Sequence, residues 1–507
     1  MDLMNKRGTR KRARVPAWRT VGTGLVACAL CLTGCVAGPN YQRPSVQTPS
    51  AWKEAPPAGW KNATPHDEIS KGNWWQAFSD AELDQLETQA TADSQSLKAA
   101  AARLAQARAV ARITRADLRP TVTLDPSAAR SRQSANRPVP PPLRTNPFTS
   151  STFTLPLDVS YEADVWGRVR RSLESSQAQA QASAADYQNL LLALRAEVAQ
   201  DYFHIRYLDD DRAILRENIE LLKRALQLTE VRHAGGAASG LDVSEARTLL
   251  EATQAGYDGT ERERSQFEHA LAVLVGKPAA EFSLPEAPLR LKPPAIPAGL
   301  PSDLLERRPD IAEAERLMVA ASAQIGVARA AFFPQISLTA GAGYVSSDLI
   351  KIFNLPSAAW SLGVGAAAPL YEGGRLKATL HRAQAAYDES VANYRQQVLT
   401  AFQEVEDGLS GLRVLEEQEA AQEKAVSSAR ETAGISAARY KEGLANYLEV
   451  IDAQRAALDN QRLASQIREL RLAVSVQLIK ALGGGWQESH PAIYSATPRP
   501  QPQTASP

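Results

Sequence analysis

The sequence predicts a mainly α-helical protein with a membrane-type β part, built twice over in one chain. Three observations carry that expectation. Two long stretches lack proline, several short segments alternate apolar and polar residues, and one half of the chain repeats the other.

The repeat comes first because it orders the rest. A shift of 207 aligns residues 167–276 with 374–483 without a gap. Identities include Gly167/Gly374, Tyr187/Tyr394, Arg206/Arg413, Arg232/Arg439, Gly236/Gly443, Ala246/Ala453 and Gly276/Gly483. A shift of 214 aligns the segment ending at Pro120 with the one ending at Pro334. The difference of seven falls in a variable stretch between Pro120 and Gly167.

No proline lies between Pro156 and Pro278, or between Pro369 and Pro491. Residues 168–232 also lack glycine, so 65 residues can run as one helix, about 100 Å at ~1.5 Å per residue. A glycine-containing turn at 233–240 leads to a second helix ending near residue 275. The second half repeats this, with a helix from about 376, a turn at 441–446 and a helix to about 482. Each half thus carries a long helical hairpin whose alanine-rich faces allow close helix approach.

Between these helices the period changes to two. Ile336, Leu338, Ala340, Ala342 and Tyr344 alternate with Gln335, Ser337, Thr339, Gly341 and Gly343. Residues 360–371 and 153–162 alternate likewise, and 121–124 form the weakest strand. Alternating segments of about ten residues read as transmembrane β-strands. Such strands must close into a barrel, because lipid cannot satisfy an unpaired edge. Four strands cannot close when the smallest such barrels have about eight, so several chains share one barrel. Two copies give eight strands and three give twelve; strand counting does not choose between them.

The flanks divide the chain into a processing segment (1–34), an extended segment (35–73), the two repeats (74–277 and 302–485), a proline-rich linker (278–301) and a proline-rich tail (486–507). Residues 132–150 read as a loop. The N-terminus has a basic region and then the apolar run 21–32, the layout of a secretory signal. It ends in Leu32-Thr33-Gly34-Cys35, which resembles the bacterial lipobox and implies a covalent lipid on Cys35. By resemblance to lipoprotein sorting signals, Val36 in place of an aspartate implies the outer rather than the inner membrane. With Cys28 and Cys31 also in the first 35 residues, the remainder can hold no disulfide.

Lys and Arg total 57 against 56 Asp and Glu, which argues against nucleic acid as a partner. No phosphate-binding loop, zinc spacing or nucleophile elbow occurs, so neither an enzyme activity nor a cofactor beyond the lipid is expected. The run Asp209-Asp210-Asp211 sits mid-helix and reads as a solvated face.

At this point the chain resembles the TolC-like outer-membrane efflux channels, in the lipoprotein branch that includes OprM and NodT-type proteins. The resemblance rests on Val36-Ala-Gly-Pro-Asn-Tyr-Gln-Arg-Pro44, Trp74-Trp75-Gln-Ala-Phe78 with Asp80 and Leu83, Leu304-Leu-Glu-Arg-Arg-Pro-Asp-Ile311, the two hairpins and the repeat. It implies a homotrimer with a twelve-stranded barrel in the outer membrane above a periplasmic α-barrel. It also implies a periplasmic adaptor and an inner-membrane pump, of the resistance-nodulation-division type, delivering small molecules into a passive conduit. A channel for type I protein secretion would share most of these features. A periplasmic adaptor or a coiled-coil lipoprotein would lack tandem hairpins preceded by amphipathic strands.

The resemblance also places a periplasmic gate at the hairpin ends. Its pattern falls on Tyr440, Gly443, Glu449 and Asp452 in the second hairpin, and on Gly236 and Asp242 in the first. Ala445 stands where some members carry an arginine that pairs across the closed tip. The turn glycines Gly236 and Gly443 are the expected adaptor-docking points, and Asp452 the expected acid ring.

Overall fold

A computed structural model describes residues 36–46, 48–49, 51–54, 73–136, 148–294, 296 and 308–484. Cys35 and the tail from 485 lie outside the described residues. The element order is α1 (Ala81–Asp93), α2 (Gln95–Ala116), β1 (Thr121–Leu124), β2 (Ser127–Gln133), β3 (Phe148–Ala163), α3 (Arg168–Ala234), α4 (Gly240–Leu274), α5 (Pro309–Ala330), β4 (Gln335–Ser346), β5 (Ala358–Ala367), α6 (Arg375–Lys441) and α7 (Tyr447–Ala481). A short 3-10 turn, Trp74–Phe78, precedes α1.

The duplication is carried to the helix boundaries. α3 and α6 each have 67 residues, α4 and α7 each 35, and α2 and α5 each 22. Glycine stops all four hairpin helices. Gly236, Gly276, Gly443 and Gly483 have φ of 77°, 75°, 79° and 90°. At the first, Gly236 N–H donates to the His233 carbonyl and Ala237 N–H to that of Arg232. The same paired bonds recur at the other three ends. A left-handed residue capping the last carbonyls in this way is where glycine costs least.

The chain divides into two units. The first comprises 1–42, 108–179 and 318–389 and contains the sheet; the second comprises 43–107, 180–317 and 390–507. The sheet is antiparallel throughout, in the order β1/β2, β3, β4, β5. β1 and β2 are one interrupted strand. Thr121 pairs with Ser160, Leu124 with Leu157, Ser127 with Thr154 and Gln133 with Phe148, in a single unbroken register. The break falls at Asp125, whose N–H reaches the Pro156 carbonyl at 3.4 Å, while Pro156 has no N–H to return. The loop expected at 132–150 is therefore shorter: Arg132–Gln133 and Phe148–Ser150 belong to strands. β5 ends at Ala367 rather than Tyr371, two residues before Pro369. Beside the sheet, the N-terminal segment crosses α5 where Gly38 meets Gly326; a Cβ on Gly38 would lie 2.5 Å from the Gly326 Cα. Arg171 holds that segment by donating to the Asn40 side chain at 2.7 Å.

In the second unit the aromatic motif is core. Trp74, Trp75 and Phe78 are buried, and Phe78 lies 4.9 Å from the Phe203 ring. Asp80 caps α1 through the N–H groups of Glu82 and Leu83 and accepts from the Tyr202 hydroxyl. Arg308 and Asp310, of the Arg-Arg-Pro-Asp motif, pair at 2.6 Å; Arg308 also reaches Glu404 on α6 and the Ala481 carbonyl at the end of α7.

The expectation that Asp209-Asp210-Asp211 is a solvated face is wrong. Asp209 and Asp211 are 6% and 1% exposed. Asp209 accepts from Arg206, Arg264 and the backbone N–H of Ala287. Asp210 accepts from the N–H of Leu289, and Asp211 holds Arg462 of α7 through two bonds of 2.7 and 2.9 Å. The run fastens the segment after α4 and the second hairpin to the middle of α3. Carboxylates are kept in such a place by paired cations and donors, without which burial would be prohibitive.

Candidate functional site: a two-faced sheet and the hairpin ends

The register sorts the sheet into two chemically distinct faces. One carries the rows Val122–Val159–Ala340–Leu362 and Leu124–Leu157–Ala342–Trp360. The other carries Thr121–Ser160–Thr339–Gly363 and Thr123–Asp158–Gly341–Ser361. Glycines make room on the polar face. A Cβ on Gly341 would lie 3.0 Å from the Asp158 carboxylate, and one on Gly363 2.7 Å from the Thr339 hydroxyl. The apolar face is bare in the single chain: Trp360 is 78% and Leu362 77% exposed. Among the described residues, β1/β2 pairs only with β3 and β5 only with β4, so both sheet edges are open.

At the hairpin ends, Tyr440 and Tyr447 are buried with Leu222, Ala246, Leu249, Val450 and Ile451, residues drawn from both hairpins. Their rings lie 5.1 Å apart. Arg232 of the first hairpin stacks 4.6 Å over the Tyr440 ring and donates to the Tyr440 carbonyl at 2.6 Å. Burial pushes the Tyr447 hydroxyl pKa up, against the lowering effect of the Thr229 hydroxyl. Glu449 and Asp452 are exposed on the first turns of α7, which Asn446 caps by accepting from Glu449 N–H. Asp242 is differently employed. It returns the bond of its own cap, accepting from Ser239 N–H while Ser239 accepts from Asp242 N–H, a reciprocal capping box. Around Gly236 nothing stands within 4 Å of a would-be Cβ, so its positive φ, not crowding, explains the glycine.

Comparison with known proteins agrees with this arrangement. The family described as outer membrane efflux protein matches residues 86–277 and 300–484. The chain belongs to the outer membrane efflux protein family. It is 36% identical over 469 residues to the probable efflux pump outer membrane protein TtgC of Pseudomonas putida, covering 92% of this chain and 95% of that one. It is 34% identical to outer membrane protein OprJ of Pseudomonas aeruginosa, with 95% and 98% covered. Its fold is similar to the outer-membrane channel OprN, with a TM-score of 0.80, 31% identity and 89% of this chain covered. The Campylobacter jejuni CmeC outer membrane channel gives a TM-score of 0.84 at 26% identity, with 90% covered.

This efflux protein therefore resides in the outer membrane, and its relatives are channels. Two residues at its hairpin ends, Glu245 and Arg232, are not among the site residues expected from the sequence, although the repeat register points to them. Glu245 is the counterpart of Asp452, as Asp242 is of Glu449, so each hairpin carries an acid pair three residues apart. Arg232 is the counterpart of Arg439. The latter donates to the Leu444 carbonyl of its own turn, whereas Arg232 crosses to the other hairpin. Among the described residues no cluster of His, Cys, Asp or Glu could hold a metal ion.

Proposed function

We propose that three chains close one twelve-stranded barrel and form the outer-membrane conduit of a tripartite small-molecule efflux system. The observation that carries this reading is the sheet: four strands, one face apolar and one polar, with both edges open. Turned outward, the rows through Trp360 and Leu362 meet lipid; turned inward, those through Asp158 and Thr339 line a wet lumen. Edge pairing between copies is the only way such a sheet avoids unpaired backbone in the bilayer. Cys35, acylated, is the mature N-terminus and a second membrane anchor. A periplasmic adaptor docks at the turns around Gly236 and Gly443, where Leu241, Leu444 and Leu448 are exposed, and an inner-membrane pump supplies the energy.

Relatives at 32–36% identity are named for toluene, pyoverdine and cation efflux. Kinship at this level assigns no substrate to the present chain, which fits a passive conduit whose pump selects the cargo. The gate is the hairpin end, where copies of Asp452 and Glu449 converge and Tyr440 is gripped by Arg232. Single-channel recording in planar bilayers tests it. Asp452→Ala should raise conductance and weaken block by multivalent cations. Wild-type conductance and block in both Asp452→Ala and Glu449→Ala would remove these acids from the gate.

A further inference from the structure

A cleft of about 580 Å³ lies where α3 of the first hairpin meets α6 and α7 of the second. Its wall is small and apolar, formed by Leu228, Ala433, Gly434, Ala437 and Val450. Arg224, Arg430 and Lys441 also line it, against one acid, Glu217. None of these three cations forms a salt bridge among the described residues. Elsewhere in the same unit Arg206, Arg264, Arg308 and Arg462 are all paired. Three buried polar atoms of lining residues have no hydrogen-bond partner: the Tyr440 and Tyr447 hydroxyls and the Gln454 side-chain oxygen. Tyr440 is only 7% exposed, so an unmet donor there is costly.

These groups are ordered along the cleft. The contact between Arg232 and Tyr440 sets the two parallel helices level. Arg224 lies eight residues before Arg232, and Arg430 ten before Tyr440, or about 12 and 15 Å up their helices. Two unpaired guanidiniums, one from each hairpin, thus stand at nearly the same height. The unpartnered tyrosine hydroxyls belong to the tip, and Gln454, seven residues past Tyr447, stands between them and the guanidiniums, about 10 Å up α7. We propose that this cleft binds an amphipathic anion bearing a hydroxyl group. A sulfonate or carboxylate head bridges Arg224 and Arg430, an apolar body lies on the Ala433–Ala437 wall, and the hydroxyl accepts from Tyr440 and donates to Gln454. Such a ligand touches both hairpins at once.

The probe is 6-hydroxynaphthalene-2-sulfonate, titrated against the full-length protein in neutral-lipid nanodiscs and followed by its fluorescence. Saturable binding at one site per chain is expected. Naphthalene-2-sulfonate, 2-naphthol and inorganic sulfate should each bind at least about tenfold more weakly. Arg224→Gln and Arg430→Gln, both at exposed positions, should each cost about tenfold as well. Gly434→Leu should abolish binding without disturbing the helix, since nothing lies within 4 Å of its Cβ position. Non-saturable uptake, equal binding of 2-naphthol, or wild-type affinity in the three variants would overturn the proposal.

Discussion

Asp209 is a buried carboxylate in the middle of a 67-residue helix, and three donors make that tenable: Arg206, Arg264 and the N–H of Ala287. Removing the acid leaves two buried guanidiniums each one partner short, with Glu82 and Glu268 still paired to them, a loss on the order of 1–3 kcal/mol. Asp209→Ala should therefore release the segment after α4 and speed tryptic cleavage after Arg290; unchanged cleavage would show that Asp209 does not fasten it. Asp201 presents the opposite case. Burial, reinforced by Glu197 and opposed by His204, raises its pKa to about 6. In the unfolded chain it titrates near 4, so between the two values the folded state holds the extra proton. Its contribution is therefore favourable at low pH and is lost as pH rises through 6. Asp201→Asn should stabilise the protein at pH 8, by roughly 1 kcal/mol after allowing for its partial exposure, and give no gain at pH 4. Thermal unfolding at the two pH values reads this directly, and an equal effect at both would refute it.

At the scale of elements, the helices were legible because their breakers are explicit. Proline is absent from both long stretches, and glycine marks the ends at 236, 276, 443 and 483. The strands β3, β4 and β5 were legible from alternation. β2 was not, because Ser127–Gln133 has no apolar period and only its register with β3 reveals it. The acid run was misread for a related reason: its partners Arg264, Ala287, Leu289 and Arg462 lie 55 to 251 residues away. The hairpin ends bear on docking. At Gly443 any side chain must adopt a φ of +79°, so a bulky substitution there mixes strain with lost contact. Leu448→Asp, at an exposed helical position, is the cleaner probe. It should abolish adaptor crosslinking and drug resistance at unchanged protein abundance; retained efflux would take this end out of the docking role.

For the molecule as a whole, the sheet requires partner strands from other copies if it is to close in a bilayer. One chain contributes four strands with two open edges and an apolar face that no described residue covers. Half of the four-strand sheet belongs to each repeat: β1/β2 and β3 to the first, β4 and β5 to the second. The duplication therefore yields one continuous sheet per chain rather than two separate ones. Three such sheets joined edge to edge make the twelve strands of the proposed barrel. Native mass spectrometry of the protein released from detergent tests this most directly. The account predicts a single species of three chains, each beginning at an acylated Cys35, whereas a stable membrane-extracted monomer beginning elsewhere would contradict it.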